Sequence, residues 1–281
     1  MKLSIRTVFI TLVVLAGTGC RTVNVTSKRF FAKAKPELAV PPPVAGSEPV
    51  TFTLPDGARL HGFWVARPQA RATLVFFNGA GGLAEEAVAM FVSWSKALNV
   101  NVLVYDYRGA GRSEGTGSVD AVKDDAHVVL EELSHFKADG LAKVVLMGSS
   151  MGSMAAVSLA AQKREVFAAM VLDSAPTNVA GWVANQVPWF AKPFLTVNIS
   201  EDMAALDAER DVAQLQMPLL LTVGDADHIT PVAFSQKLLA ASHSPIKELH
   251  VFHGPDHGEC SDHAEYVTVL AAFLNRALAE P

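Results

Sequence analysis

Short apolar runs recur along the chain, each followed by turn-forming residues and then by apolar positions at helical spacing. The runs at 72–77, 100–105, 144–147, 167–172 and 217–223 are continuous enough to read as strands buried on both faces. A last strand is expected at 247–252. Between them, 84–98, 120–137, 154–161, 231–241 and 264–279 carry the 3.6-residue period of helices. Strands alternating with helices predict an α/β fold, a mostly parallel twisted sheet covered by helices on both faces. Ahead of this alternation, 50–54 and 59–66 flank Pro55-Asp56-Gly57 and read as a β-hairpin. One segment, 174–216, breaks the alternation. It carries Trp182, Val183, Val187, Trp189, Phe190, Phe194 and Leu195 between two sheet strands. It is expected to rise over the carboxyl ends of the strands as a small, water-excluding cap lined with aromatics; an ordinary excursion helix is the alternative.

The chain is organised around 143–157. The apolar run at 144–147 leads directly into Gly148-Ser149-Ser150-Met151-Gly152, and a helix of small residues follows. A turn this sharp strains its central residue and needs small neighbours, which Gly148 and Gly152 supply. It leaves the Ser150 hydroxyl exposed above the sheet, at a helix start whose free N–H groups can meet an oxyanion. The five-residue pattern alone is weak; the strand before it and the helix after it give it weight.

Half of the residues are apolar, enough for a sizeable core, and the net charge of −5 provides no basic field for nucleic acid. The first twenty residues stand outside the fold. Lys2 and Arg6 precede an apolar run at 8–16, then Gly17-Thr18-Gly19 and Cys20. This is a secretory signal layout, shorter than the ~20 residues of a membrane-spanning helix. It resembles a bacterial lipoprotein signal, with Gly17 where a larger apolar residue is usual. The resemblance implies cleavage before Cys20, lipidation of that cysteine, a membrane-anchored protein facing the periplasm or exterior of the cell envelope, and a free thiol at Cys260. Residues 21–46, basic at Lys28, Arg29, Lys33 and Lys35 and ending near Pro41-Pro42-Pro43, read as a tether. The globular domain is placed at 47–281.

A serine hydroxyl needs a base to take its proton, and the base needs a carboxylate to orient it. In a parallel α/β sheet of this kind the order along the chain is Ser, then Asp or Glu, then His, each just past the carboxyl end of a strand. Ser150, Asp227 and His257 fall in that order. Asp227 competes with Asp225, which reads as a turn former. His257 competes with His253, close to the strand end, and His263, at the last helix. Asp106 and Arg108 read as braces of a Gly-rich loop.

In these residues the chain resembles the α/β-hydrolases, closest to the BEM46-like group of serine hydrolases, over about 50–278. The resemblance rests on the Asp-Gly hairpin, Asn78-Gly79-Ala80-Gly81-Gly82, the run Tyr105-Asp106-Tyr107-Arg108-Gly109-Ala110-Gly111-Arg112-Ser113-Glu114-Gly115, the turn at 148–152, Asp227 with Pro231, and Gly254-Pro255-Asp256-His257. It implies Ser150 as nucleophile, Asp227 as orienter and His257 as base. The amides of Met151 and Ala80 would form the oxyanion hole, with Asn78 and Gly79 supporting that loop. Two positions depart from the family pattern: Asn78 where His is usual, and Ser153 where a second Gly is usual.

The expected activity is cleavage of a carboxylic ester, thioester or amide of a small or lipid-like acyl substrate, without cofactor or metal. A serine peptidase of the same fold is one alternative, and a lipid-tethered domain that keeps the fold without turnover is another. A zinc site on His253, His257, Cys260 and His263 is a weaker reading, since that spacing matches no standard ligand pattern. Oligomeric state is not legible.

Overall fold

The structure, a computed structural model, describes residues 21–27, 44–136, 143–162 and 167–279. The leader with Cys20 and the middle of the expected tether, 28–43, lie outside the described residues. After β1 (Arg21–Val25), the domain begins with a hairpin of β2 (Glu48–Thr53) and β3 (Arg59–Val65). Strand β4 (Thr73–Phe77) leads to helix α1 (Ala84–Leu98), β5 (Asn101–Tyr105), α2 (Val119–Phe136), β6 (Val144–Ser149) and α3 (Met151–Gln162). Then come β7 (Phe167–Asp173) and an insertion holding α4 (Val179–Gln186), β8 (Leu195–Ile199), α5 (Glu201–Ala204) and α6 (Ala208–Val212). The chain closes with β9 (Leu219–Gly224), α7 (Val232–Ala241), β10 (Lys247–Phe252) and α8 (Tyr266–Ala277).

Eight strands form one sheet in the order β10-β9-β7-β6-β4-β5-β3-β2. The hairpin and its junction with β5 are antiparallel and every other pair is parallel. Two-residue periodicity splits the core. Val75, Phe77, Val144 and Leu146 face one layer with Met154 and Val157 of α3. Leu74, Phe76, Val145 and Met147 face the other, with Phe91 of α1 and Phe273 of α8. Both faces are dry, which is why β4 and β6 read as unbroken apolar runs. Helix α1 shows the complementary period: Ala84, Val88, Phe91, Ser95 and Leu98 are buried, and Trp94 stacks on Tyr266 of α8 with ring centroids 5.2 Å apart.

The expected tether needs correction at its start. Residues Arg21–Val25 are a strand paired in parallel with β8, in register from Arg21↔Leu195 to Val25↔Ile199, and Val25 is buried. The two strands form a separate two-stranded sheet. Thr-Val-Asn-Val is a good strand sequence, but its partner lies some 170 residues downstream, so local pattern gave no reason to expect pairing.

The expected aromatic lining also needs correction. Trp182, Val183 and Val187 are buried, but Trp189, Phe190 and Phe194 are 81%, 58% and 64% exposed. The latter three ride on the stretch between α4 and β8, where the chain is too short of neighbours to cover them.

Candidate active site

Ser150 sits between the last residue of β6 and the first of α3, with φ +51, a left-handed conformation that non-glycine residues rarely hold. Its surroundings fix it there. The Ser150 amide donates to the Asp173 carbonyl at 2.8 Å, and the Ser153 hydroxyl donates to the Gly148 carbonyl at 2.7 Å. A Cβ at Gly152 would lie 2.1 Å from the Phe77 carbonyl oxygen, and one at Gly148 would lie 2.5 Å from that of Gly152. Both glycines are therefore required by close backbone approach. Ser153, where the family has Gly, is accommodated because its hydroxyl closes the turn.

Asp227 and His257 come from the loops after β9 and β10. Nε2 of His257 is 2.9 Å from the Ser150 Oγ, and Nδ1 is 2.9 Å from Oδ2 of Asp227. The Asp227 side chain is fully buried and that of His257 is 15% exposed. Oδ1 of Asp227 accepts the amides of Ile229 at 2.9 Å and Thr230 at 2.8 Å, and Oδ2 accepts the Thr230 hydroxyl at 2.7 Å. Burial is the strongest single influence on the Asp227 carboxyl and pushes it up. The hydrogen bond and charge of His257 and the two Thr230 donors together outweigh it, holding Asp227 below its ordinary value. It is thus an ionised acceptor suited to orient an imidazole with Nδ1 protonated and Nε2 free to accept from the serine.

The competing residues go elsewhere. Asp225 accepts the Gly254 amide at 2.8 Å and lies 2.6 Å from Nδ1 of His253, whose ring is almost wholly exposed. His263 accepts the Glu265 amide, and Cys260 is a buried free thiol whose Sγ faces the Ser174 hydroxyl at 4.0 Å. Among the described residues no three His, Cys, Asp or Glu side chains converge as a metal site.

The loop after β4 is braced from beneath. Buried Asn78 donates through Nδ2 to the Tyr105 carbonyl at 3.1 Å, and the Tyr107 hydroxyl donates to the Asn78 carbonyl at 2.8 Å. A Cβ at Gly79 would lie 3.2 Å from the Ser149 carbonyl oxygen, so this loop lies against the serine turn. Met151 opens α3, and its amide is one of the four that a helix leaves unpaired at its start. Asp106 accepts the Ala84 amide at 2.7 Å, and burial raises its carboxyl to about 6. Arg108 grips Asp125 through two nitrogens, at 3.1 and 2.8 Å, and also bonds Asp56. Both residues brace the loop, as their motif suggests.

A cleft with about 390 Å³ of empty space, counting its open mouth, adjoins the site. Asn78, Ala80, Tyr107 and Met151 bound it on the serine side. Val119, Val122, Ala155 and Leu206 form apolar walls, and Lys123, paired with Asp120 at 2.8 Å, is the one charged residue of the lining. Leu206 is the sole contribution of the insertion; its aromatics do not line the cleft. The insertion reaches the loop after β9 differently. Asn185 donates to the carbonyl of His228 at 3.0 Å, and Gln186 donates to that of Ile229 at 3.1 Å.

One participant escaped the sequence reading. Thr230, read only as part of a helix start, is bonded to Asp227 and lies 3.1 Å from Nδ1 of His257. Its signal was present: a threonine three residues past an Asp at a helix entry is placed to close a hydrogen-bonded turn. Asp173, at the end of β7, is buried beneath the site, accepting Thr222 at 2.7 Å and Ser149 at 3.4 Å.

A family model described as serine aminopeptidase, S33 (Hydrolase_4) matches residues 68–201. The chain is 32% identical over 232 residues to the uncharacterized protein YfhR of Salmonella typhimurium, covering 77% of this chain and 76% of the relative. It is 27% identical over 207 residues to protein bem46 of Schizosaccharomyces pombe, covering 74% and 68%. Among solved structures, the Pyrococcus furiosus esterase Pf2001 superposes with a TM-score of 0.68 at 22% identity, over 86% of this chain and 99% of that one. The sheet order, the strained serine turn and these relatives together define an α/β-hydrolase. Within that class, the chain belongs to the BEM46-like family.

Proposed function

We propose that this hydrolase cleaves a carboxylic ester through an acyl-enzyme, with Ser150 as nucleophile, His257 as general base and acid, and Asp227 as orienter. The observation that carries the reading is the unbroken pair of 2.9 Å contacts from Asp227 through His257 to Ser150. Oγ of Ser150 attacks the carbonyl carbon while its proton passes to Nε2, and the imidazolium is stabilised by Asp227. The carbonyl oxygen takes the negative charge and meets the amides of Met151 and Ala80. Collapse expels the alcohol, which receives the proton from Nε2. Water then repeats the sequence on the acyl group, yielding the acid and restoring Ser150.

The serine aminopeptidase description of the matching family model favours a second reading, amide cleavage at a free amino terminus. Such a substrate brings an ammonium group that needs a carboxylate partner. The described lining of the cleft offers none, and its single charge is the cation Lys123. Apolar walls suit an acyl chain better, so an ester is favoured. A scaffold without turnover is disfavoured because Asn78, where the family usually has His, still braces its loop by donating through Nδ2 to the Tyr105 carbonyl. The same reading places lipidation at Cys20 and the domain at a membrane of the cell envelope. Acyl label carried by the wild type and absent from Cys20→Ala supports that part, and equal labelling overturns it.

A fluorophosphonate probe tests the chemistry. Labelling of wild type and none of Ser150→Ala is expected, with ester turnover falling on the order of 10⁴-fold or more. Labelling that persists in the variant, or folded wild type that takes no label, sinks the assignment. Esters of graded acyl length beside amino-acid anilides then separate esterase from peptidase.

A further inference from the structure

Trp189, Phe190 and Phe194 expose large apolar surface close together in sequence, and the rings of Trp189 and Phe190 meet edge to face at 6.0 Å. Contiguous exposed aromatics on a folded domain mark an interaction surface. The fold states where this surface lies. Phe194 ends the short 3₁₀ turn Lys192–Phe194, and Leu195, the next residue, is the register partner of Arg21. The strands are parallel, so the chain arriving from residue 20 enters the domain beside the aromatic cluster. What arrives is the leader, whose sequence is apolar at 8–16.

Charge agrees. The protein is acidic overall, yet 174–200 contains a single charged residue, the exposed Lys192, and β1 opens on a second cation, Arg21, the register partner of Leu195. The first carboxylates after the cluster, Glu201 and Asp202, lie past the far end of β8, where Asp202 accepts the Ser200 hydroxyl. Aromatic rings flanked by cations suit the headgroup boundary of a bilayer with anionic lipid.

We propose that Trp189, Phe190 and Phe194 form a bilayer-contact surface that seats the insertion on the membrane at the point where the N-terminal segment leaves it. Weak contacts suffice, because a segment held in the same membrane keeps the cluster at high local concentration there. The surface does not depend on acylation of Cys20; an apolar leader left uncleaved delivers the same geometry. Asn185 and Gln186, which bond the loop after Asp227, lie just before the cluster on the same insertion.

The test uses the full chain purified from cells and reconstituted into phosphatidylcholine–phosphatidylglycerol vesicles with dibrominated acyl chains. The other three tryptophans, Trp64, Trp94 and Trp182, are buried, so Trp189 is the reporter. Quenching of indole emission by lipid bromine in wild type, lost in Trp189→Phe, is expected. Phe190→Ser with Phe194→Ser should weaken the quenching while leaving hydrolysis of a short soluble ester unchanged. Wild type that is unquenched on the vesicles, or quenched equally after Trp189→Phe, overturns the proposal. So does an indole unquenched by lipid but shielded from iodide, which points to a protein partner. Quenching without acyl label on Cys20 keeps this surface and removes only the lipoprotein reading.

Discussion

Strands β6 and β7 end side by side, Ser149 in register with Asp173, and each is followed by a serine in the left-handed region, Ser150 at φ +51 and Ser174 at +49. From this common geometry the two connections diverge. After Ser150 the chain turns at once into α3, packed against the sheet, and the hydroxyl is left at the rim with His257 as its partner. After Ser174, which is fully buried, the chain leaves the sheet for the insertion and its hydroxyl faces only Cys260. The same strained conformation at a strand end thus meets two different surroundings. What differs is the imidazole set above Ser150 and the thiol facing Ser174.

The sharpest way to break this contrast is to remove the orienting carboxylate from one of two neighbouring aspartates. Asp227→Asn should lower kcat for an ester by roughly 10⁴-fold, through loss of the imidazole tautomer and of imidazolium stabilisation. Asp225→Asn, which loosens only an exposed turn with His253, should stay within about twofold, the range of a surface change. Comparable losses in the two variants would mean that the wrong loop has been credited.

The same contrast explains what could be read in advance. The features that mark Ser150 in the sequence are local: an apolar run, two glycines around the serine and small residues on the helix behind. Chain order past the strand ends put Asp227 and His257 forward, with Asp225, His253 and His263 as competitors, and the family resemblance supplied their expected roles. The insertion was legible as an interruption but not in its folding, because its one strand pairs with residues near the other end of the chain. Its aromatics were counted as lining because apolar residues are expected inside. That rule runs one way only, and Trp189 is 81% exposed. Thr230 was overlooked because a helix-entry threonine is common, and only its distance from His257 marks it out.

Beneath the two serines, Asp173 is raised to about 6 from 3.8, first by burial, despite bonds from Thr222 and Cys260. A carboxyl raised in the folded state adds stability below its unfolded value, and that stability is lost as pH rises through its folded value. Stability linked to Asp173 should therefore fall between about pH 4 and 6, by at most ~3 kcal/mol. Asp173→Asn should flatten this part of the melting-temperature profile. An unchanged profile would show that the buried carboxyl does not titrate there. Asp106, raised similarly by burial, adds slope of the same sign.

A smaller effect is expected at Thr230. Thr230→Val removes the hydroxyl from Oδ2 of Asp227 but keeps the shape and the backbone amide. The Asp227 carboxylate loses one donor, and kcat for ester should drop about tenfold, the value of one charge-assisted hydrogen bond, with KM little changed. The acid limb of the pH–rate profile should move as well, whereas a purely structural loss would leave it in place. Thr230→Ser should restore both.

The smallest effect on turnover is expected from separating the small sheet. Val25 is 3% exposed and lies at the end of the β1–β8 register, so Val25→Asp places an unpaired charge against the core and detaches β1. Because Ser150, Asp227 and His257 follow β6, β9 and β10, hydrolysis of a short soluble ester should stay within about twofold of wild type. Amide exchange should accelerate at Leu195–Ile199, which loses its strand partner, and remain slow at Val144–Ser149 in the middle of the large sheet. Faster exchange in both strands would mean that the insertion and the serine turn open as one unit, and the independence of the two regions would fail.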